Sequence, residues 1–223
     1  MRRFFKRCAS FFLVPITQWY LRKERIYFHR GIKVKVYPGV FHPGFFYSTK
    51  FLIDYLSTRN LHNQSLLELG CGTGLISIFA AKKGARVTAS DISRNAVMNA
   101  TANAESNHVS VNMITSDLFE GIGPSSFDWI IINPPYYAGV PKNESEQAWY
   151  CGPDFEYFRE LFKTLGIYTH RDTRTIMVLT LESDLKEIKK IGRENGFEFE
   201  LLEDRSVLFD GKDFLFRIRK QSG

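Results

Sequence analysis

From residue 65 onward, short apolar runs alternate with longer stretches in which apolar positions recur every three or four residues. Apolar runs of about four to eight residues between turn residues are typical of strands, and the three-to-four spacing is typical of helices. The predicted strands are Ser65–Gly70, Arg86–Asp91, Val109–Thr115, Phe127–Asn133, Thr175–Thr180, Phe197–Asp204 and Asp213–Lys220. Because strands and helices alternate, we expect an α/β fold with a doubly wound, mostly parallel sheet.

The helices of this pattern are predicted at residues 48–56, 74–83, 93–107, 155–169 and 183–194. Ser93 can cap the third helix, because its hydroxyl can accept from a free backbone N–H group, and Gly196 can close the last one. The run Phe127–Asn133 is of the apolar kind that is buried at a sheet centre. The final two strands are predicted to pair antiparallel, which gives a sheet of seven strands.

The first 64 residues are less regular, with an aromatic, basic, helix-like stretch up to Phe28 and a loop rich in proline and glycine at 38–44. Residues 1–35 hold ten Lys or Arg and one acidic residue, whereas the rest of the chain has 20 basic and 23 acidic residues. We predict a basic N-terminal extension at 1–45 and a catalytic domain at 46–223. Such an arm suits RNA, an anionic surface, or a packed helix with a solvated basic face.

Composition excludes several classes of protein. A chain of 223 residues with 44% hydrophobic residues can bury one full core, and it has no low-complexity tract. Cys8, Cys71 and Cys151 lie far apart without metal-ligand spacing, so we expect no metal site and a cytoplasmic setting. The apolar run 11–16 contains Pro15 and falls short of the roughly 20 residues that cross a bilayer. We therefore predict no transmembrane segment.

A glycine-rich turn, Glu68-Leu69-Gly70-Cys71-Gly72-Thr73-Gly74, joins the first predicted strand to its helix. Glycines allow a sharp turn and a close approach of backbone to ligand. Asp91 ends the next strand, where a carboxylate can accept hydrogen bonds from both ribose hydroxyls of a nucleoside. A nicotinamide-dependent oxidoreductase is the alternative, but the loop lacks the GxGxxG pattern. A non-catalytic partner subunit with the same fold is a further alternative.

A second motif, Asn133-Pro134-Pro135-Tyr136, follows the fourth predicted strand at the sheet edge where doubly wound folds bind ligands. Two prolines stiffen the backbone, so the Asn133 side chain and the Pro134 carbonyl can both accept hydrogen bonds from an incoming NH₂ group. Tyr136 can stack on a flat conjugated group. We predict Asn133, Pro134 and Tyr136 as the catalytic residues of a transfer to nitrogen. A stiff turn without function is the alternative for this motif.

With these two motifs the chain resembles the class I S-adenosylmethionine-dependent methyltransferases, whose first motif is E/D-x-G-x-G-x-G and whose second ends in an acidic residue. The resemblance implies a Rossmann-like fold and S-adenosylmethionine as cofactor. It implies that the glycines of the loop contact the methionine part, that Asp91 holds the ribose, and that Asp117 and Leu118 flank the adenine. The implied cofactor-binding residues are Glu68, Gly70, Cys71, Gly72, Gly74, Asp91, Ile92, Asp117, Leu118 and Asn133.

The motif Asn133–Tyr136 is similar to that of N-methyltransferases acting on planar amino groups. The stretch Ala148–Gly152, with Phe41–Pro43 and Ser48-Thr49, resembles the short HemK-like release factor glutamine methyltransferases, although Cys151 replaces the first glycine of a pair. This resemblance implies a protein glutamine as acceptor, on a release factor or ribosome-associated protein. An rRNA or tRNA base, at adenine N6 or guanine N2, is the first alternative and a small molecule the second. DNA is disfavoured, because the chain has no target-recognition domain.

Overall fold

The strands and helices of the chain follow the predicted alternation. The computed structural model describes residues 22–142, 144–207 and 211–221. Within these ranges the strands are Arg25–His29 (β1), Ile32–Val36 (β2), Ser65–Leu69 (β3), Arg86–Asp91 (β4), Asn112–Thr115 (β5), Phe127–Ile132 (β6), Thr169–Thr180 (β7), Phe197–Val207 (β8) and Gly211–Lys220 (β9). The α-helices are Tyr47–Ser57 (α1), Leu75–Lys82 (α2), Arg94–Ser106 (α3), Glu156–Leu165 (α4) and Leu185–Glu194 (α5). Short 3₁₀ helices cover Glu144–Ala148 and Gly166–Tyr168.

Seven strands form one sheet in the order β5-β4-β3-β6-β7-β9-β8. The pairs from β5 to β7 are parallel, whereas β9 pairs antiparallel with both β7 and β8. The predicted seven-stranded, mostly parallel sheet with a terminal antiparallel pair is therefore confirmed. The chain runs outward from β3 to β5 and then returns to the other side of β3 to form β6, which places a reversal of strand order between β4 and β6.

Alternating side chains of the central strands fill two cores, one on each face of the sheet. On β6, Ile130 and Ile132 lie in the core that packs against α4 and α5, while Trp129 and Ile131 lie in the core shared with α1 and α2. All four side chains are fully buried. This two-sided burial is the reason that the sequence of β6 is apolar at successive positions.

The ends of several elements differ from the prediction. Strand β5 begins at Asn112, because Val109 and Val111 pack against the core before the pairing with β4 starts. Helix α4 ends at Leu165, with Gly166 as C-cap, and β7 starts at Thr169, earlier than predicted. The predicted cap at Ser93 is confirmed, since its Oγ accepts from Ala96 N at 3.3 Å.

The prediction of a helix-like stretch up to Phe28 is wrong for residues 25–28, which form β1; residues 1–21 lie outside the described part. Arg30 and Gly31, with φ of 47° and 77°, form a two-residue turn that joins β1 to β2. Positive φ at both central residues matches the right-handed twist of a hairpin. On β2, Ile32 and Val34 are buried in the core against α2 and α3. The boundary between an extension at 1–45 and a catalytic domain at 46–223 stays a prediction.

Candidate active site

A cleft opens at the carboxyl ends of β3, β4 and β6, where the strand order reverses. In doubly wound sheets this reversal leaves a crevice, because consecutive connections run to opposite sides of the sheet. The glycine-rich loop after β3, the end of β4 and the segment after β6 meet in this cleft. The side facing away from the sheet is closed by residues 39–49 and 147–149.

The glycine-rich loop is shaped by positive backbone φ angles at Gly70, Gly72 and Gly74. Backbone N–H groups of Gly70 and Cys71 both donate to Ser90 O, at 2.8 and 2.9 Å, which fixes the loop against the end of β4. A Cβ added at Gly70 would meet nothing within 4 Å, so this part of the loop faces open space.

Gly74 serves a different purpose from Gly70. A Cβ at position 74 would lie 2.9 Å from Ala100 Cβ, so the glycine lets α2 start in close contact with α3. Gly74 is also not among the residues that line the cleft, whereas Gly70 and Gly72 are. Its predicted contact with a cofactor stays a prediction.

The Asp91 carboxylate lies beside this loop at the end of β4 and accepts hydrogen bonds from two backbone N–H groups. Its Oδ2 accepts from Gly72 N and its Oδ1 from Ser93 N, both at 2.9 Å. Burial raises the pKa of Asp91, and the two backbone donors partly oppose that shift. A carboxylate has about four lone-pair sites, so Asp91 keeps the capacity to accept two more hydrogen bonds.

Glu68 lines the cleft floor with only 3% of its surface exposed, and the Ser77 hydroxyl donates to its Oε2. Burial raises the pKa of Glu68 to about 8, and the nearby Asp91 charge adds to this effect. The buried thiol of Cys71 has a pKa well above its usual value for the same two reasons, burial and neighbouring carboxylates. At neutral pH the floor therefore holds a protonated carboxyl and an un-ionised thiol.

The acceptor motif lies where it was predicted, directly after β6. Asn133, Pro134 and Tyr136 line the same cleft as Asp91, with Pro134 buried and the other two half-buried. The next residue, Tyr137, holds this segment in place. Its backbone N–H donates to Trp149 O at 2.9 Å, its carbonyl accepts from Cys151 N at 2.9 Å, and its hydroxyl donates to Glu182 Oε2 at 2.5 Å.

Three aromatic side chains, Phe41, Phe46 and Trp149, cover the cleft opposite the sheet. Their ring centroids lie 4.9 to 5.5 Å apart, so each ring contacts the other two. All three line the cleft, and no site role was predicted for them. Only their neighbourhood was signalled in the sequence, through the stretches at 41–43 and 148–152 that resemble HemK-like enzymes. Ser48, Thr49 and Gln147 are further lining residues that sequence reasoning did not assign.

Most predicted site residues come together in this cleft. Those that line it are Glu68, Gly70, Cys71, Gly72, Asp91, Ile92, Asn133, Pro134 and Tyr136. Asp117 and Leu118 follow β5 and are outside this lining; Asp117 is exposed and Leu118 belongs to a core cluster. Their roles beside an adenine stay predictions. Across the described ranges, no three His, Cys, Asp or Glu side chains gather as a metal site would require, and no helix there has the length and apolar character needed to cross a membrane.

Residues 31–149 match the family described as methyltransferase small domain. A relative from Methanocaldococcus jannaschii, named for protein N5-glutamine methyltransferase activity, is 42% identical over 118 residues, covering 52% of this chain and 56% of the relative. A ribosomal protein L11 methyltransferase of Thermotoga maritima is 35% identical over 176 residues, covering 78% of this chain and 59% of the relative. The matches thus span somewhat more than half the length of both curated relatives.

Among solved structures, the T. thermophilus 16S rRNA N2 methyltransferase in complex with AdoMet and guanosine has a similar fold. The TM-score is 0.60 at 16% identity, covering 89% of this chain and 50% of that chain. The predicted class I fold is confirmed by this likeness. The family match confirms the predictions of a methyltransferase and of S-adenosylmethionine as cofactor, and it excludes the oxidoreductase alternative. The chain belongs to the methyltransferase small domain family of S-adenosylmethionine-dependent enzymes.

Proposed function

We propose that this chain transfers the methyl group of S-adenosylmethionine to a planar amide nitrogen, the side chain of a protein glutamine. One observation carries the proposal: Asn133 and Tyr136 line the same cleft as Asp91 and the open side of the Gly70 turn. Donor and acceptor can therefore meet between the ends of β4 and β6. The proposed cofactor residues are Glu68, Gly70, Cys71, Gly72, Asp91 and Ile92, and the proposed catalytic residues are Asn133, Pro134 and Tyr136.

The side chains of the cleft fit a cationic nucleoside as ligand. Asp91 has two free acceptor positions for the ribose hydroxyls, and Glu68 lies on the floor beneath the loop. A bound cation next to Glu68 would lower the pKa of that carboxyl again, since an opposite charge favours the ionised form. When bound, S-adenosylmethionine supplies a methyl group on a positively charged sulfur, and transfer leaves a neutral thioether.

An amide nitrogen is a poor nucleophile, because its lone pair is shared with the carbonyl group. The Asn133 Oδ1 atom and the Pro134 carbonyl would each accept one hydrogen of the incoming NH₂ group. These two bonds would draw the nitrogen toward a tetrahedral form, in which its lone pair points at the methyl group. The new N–C bond would form as the cofactor's S–C bond breaks, and the nitrogen would release its surplus proton to solvent after transfer. Tyr136 would pack against the flat amide.

The rigidity of the acceptor segment supports this mechanism. Pro134 and Pro135 restrict its backbone, and Tyr137 is bonded on both sides to the segment Trp149–Cys151. Preorganised acceptors stabilise a developing positive charge without the cost of reorganising during the reaction. The aromatic cover of Phe41, Phe46 and Trp149 would exclude water from the transfer.

Glutamine is favoured over other acceptors by the 42% identity over 118 residues to the M. jannaschii relative, which is named for protein N5-glutamine methyltransferase activity. A base of rRNA or tRNA is the second candidate, since an exocyclic amino group presents the same planar NH₂ to Asn133. One structural feature favours it: the outward face of the β1–β2 hairpin is basic and carries an exposed aromatic side chain. Lys33 Nζ lies 5.9 Å from the centroid of the Phe28 ring, which is 66% exposed.

We further propose that this hairpin face, which belongs to the predicted basic extension at 1–45, engages an anionic partner. A ribosome-associated protein substrate would fit both features, because the glutamine would enter the cleft while the basic face binds the RNA beside it. Lys35 is partly neutralised, because its Nζ atom lies 3.3 Å from a carboxylate oxygen of Glu24, whereas Lys33 lies over the Phe28 ring. The buried free thiols of Cys71 and Cys151 agree with the cytoplasmic location that belongs to this proposal.

The acceptor class can be identified with labelled cofactor. Wild-type enzyme and Asn133→Ala are incubated with methyl-labelled S-adenosylmethionine and cell extract, treated with ribonuclease or with protease. With wild-type enzyme, we expect labelled product that survives ribonuclease, is destroyed by protease and carries the methyl group on glutamine, as identified by mass spectrometry. With Asn133→Ala, we expect little labelled product. Label that is lost to ribonuclease would establish the RNA alternative. Equal labelling by both enzymes would remove Asn133 from the reaction.

A further inference from the structure

Three asparagines, Asn99, Asn103 and Asn107, follow one another at intervals of four residues on the buried side of α3, with Asn107 as the C-cap directly after its last residue. They are 0%, 1% and 8% exposed. Asparagine is a poor residue for the interior or last turn of a helix, because its amide competes for backbone hydrogen bonds, and a buried amide costs free energy unless all its groups are bonded. Three such residues on one face therefore need partners outside the helix.

These partners lie on the free edge of β2. Asn103 Oδ1 accepts from Lys35 N at 2.8 Å and its Nδ2 donates to Lys35 O at 2.8 Å. Asn99 repeats the arrangement, accepting from Tyr37 N and donating to Lys35 O, both at 3.1 Å. Asn107 Nδ2 donates to Lys33 O at 2.7 Å. The side-chain amides thus satisfy backbone groups of β2 as a neighbouring strand would. They stabilise a two-stranded sheet that would be only marginally stable on its own.

Asn103 makes one contact that Asn99 and Asn107 do not. Its Nδ2 also donates to Thr73 O at 2.9 Å, so both amide hydrogens and the amide oxygen are used. Thr73 lies between Gly72, whose N–H donates to Asp91, and Gly74, which packs on Ala100. One fully buried side chain therefore connects the N-terminal hairpin to the turn that lines the cleft.

We infer that Asn103 is a positioning residue for cofactor binding, which holds the Gly72–Gly74 turn in its binding shape through Thr73 O. Asn103 does not line the cleft, so it acts through the loop and not by contact with the ligand. The hairpin, pinned to the same amide, keeps Asn103 oriented toward Thr73. This inference rests on the proposed role of the loop in binding S-adenosylmethionine.

The test compares Asn103→Leu with Asn99→Leu. Each change removes a buried amide that bonds β2, but only the first removes the bond to Thr73. We expect both variants to lose thermal stability to a similar degree. Calorimetry should show the dissociation constant for S-adenosylmethionine rising about three- to ten-fold in Asn103→Leu, as the loss of one hydrogen bond predicts, and staying within two-fold of wild type in Asn99→Leu. The rate at saturating cofactor should be unchanged in both.

Equal dissociation constants for the two variants would overturn the inference, whether both are raised or both are unchanged. If Asn103→Leu does not fold, Asn103→Ser and Asn99→Ser are compared in the same way. Asp91→Ala, measured in the same series, distinguishes failure of the proposed cofactor site from failure of the positioning role of Asn103. An Asp91→Ala variant that binds as tightly as wild type would contradict the proposed site itself, whereas weak binding by Asp91→Ala with normal binding by the Asn103 variant would contradict the positioning role alone.

Discussion

Replacing Asp91 by alanine is the most direct test of the part of the cleft that is proposed to bind S-adenosylmethionine, the methyl donor. Two of the roughly four lone-pair sites of this carboxylate are taken by Gly72 N and Ser93 N, which leaves two for the vicinal hydroxyls of a ribose. Hydrogen bonds to a charged acceptor contribute about 1.5 to 3 kcal/mol each at most, and the freed hydroxyls regain water in the variant. We therefore expect a net loss of about 1 to 3 kcal/mol, or roughly a 5- to 150-fold weaker dissociation constant for S-adenosylmethionine.

Asp128 provides a matched control for this measurement. Its carboxylate also accepts a hydrogen bond from a backbone N–H group, that of Ser65, at 2.7 Å. Asp128 lies near the start of β6, however, at the amino ends of the parallel strands, whereas the cleft lies at their carboxyl ends. Asp128→Ala should lower the melting temperature and leave the calorimetric dissociation constant unchanged. Because burial raises the pKa of Asp91, wild-type affinity should also start to fall, on acidification, at a higher pH than for an exposed aspartate. A folded Asp91→Ala protein with wild-type affinity would refute the reasoning.

Three further predictions concern other parts of the molecule. Asn133→Ala should lower kcat by roughly two to three orders of magnitude with cofactor affinity within a few-fold of wild type, and Asn133→Asp, which keeps an acceptor oxygen, should retain partial activity on the identified acceptor. In the folded protein the pKa of Glu68 is about 8, whereas in the unfolded chain it is near 4.5. The contribution of Glu68 to the free energy of unfolding should therefore be complete below pH 4.5 and decline as the pH rises toward 8. Glu68→Gln should abolish that decline in thermal unfolding scans, and a variant with the wild-type pH profile would contradict this prediction. Deleting residues 1–21 should leave cofactor binding intact and flatten the salt dependence of binding to an RNA oligonucleotide, while an insoluble product would instead indicate that the segment is needed for folding.

The sequence predicted the central sheet well, because burial there leaves a direct trace in the residue pattern. Trp129 and Ile131 face one core and Ile130 and Ile132 the other, so every position of the middle of β6 must be apolar. The β1–β2 hairpin was missed, although Ile32 and Val34 alternate with lysines, since the aromatic and basic residues just before it suggested a helix. The alternation of apolar residues and lysines in β2 is typical of a strand, but the N-terminal residues were interpreted together as one helix-like segment.

The site was predictable only where a local motif carried it. Gly70, Asp91 and Asn133 could be placed in the cleft because each lies at, or directly after, the carboxyl end of a strand. Phe41 and Trp149, which contact each other in the aromatic cover of the cleft, are more than a hundred residues apart in sequence and form no local pattern. The bond from Asn103 to Thr73 depends on how α3 packs against the loop, and such packing cannot be inferred from helix periodicity.

The reversal of strand order beside β3 divides the molecule into two separately encoded halves. Residues on the β4 side supply the proposed donor contacts, and residues on the β6 side supply the acceptor contacts, with no strand shared except β3 itself. The family match ends at Trp149, inside the acceptor half. With this arrangement, substitutions in the acceptor half, for example around the bond between Tyr137 and Glu182, would alter the proposed acceptor contacts and leave the proposed donor contacts in place.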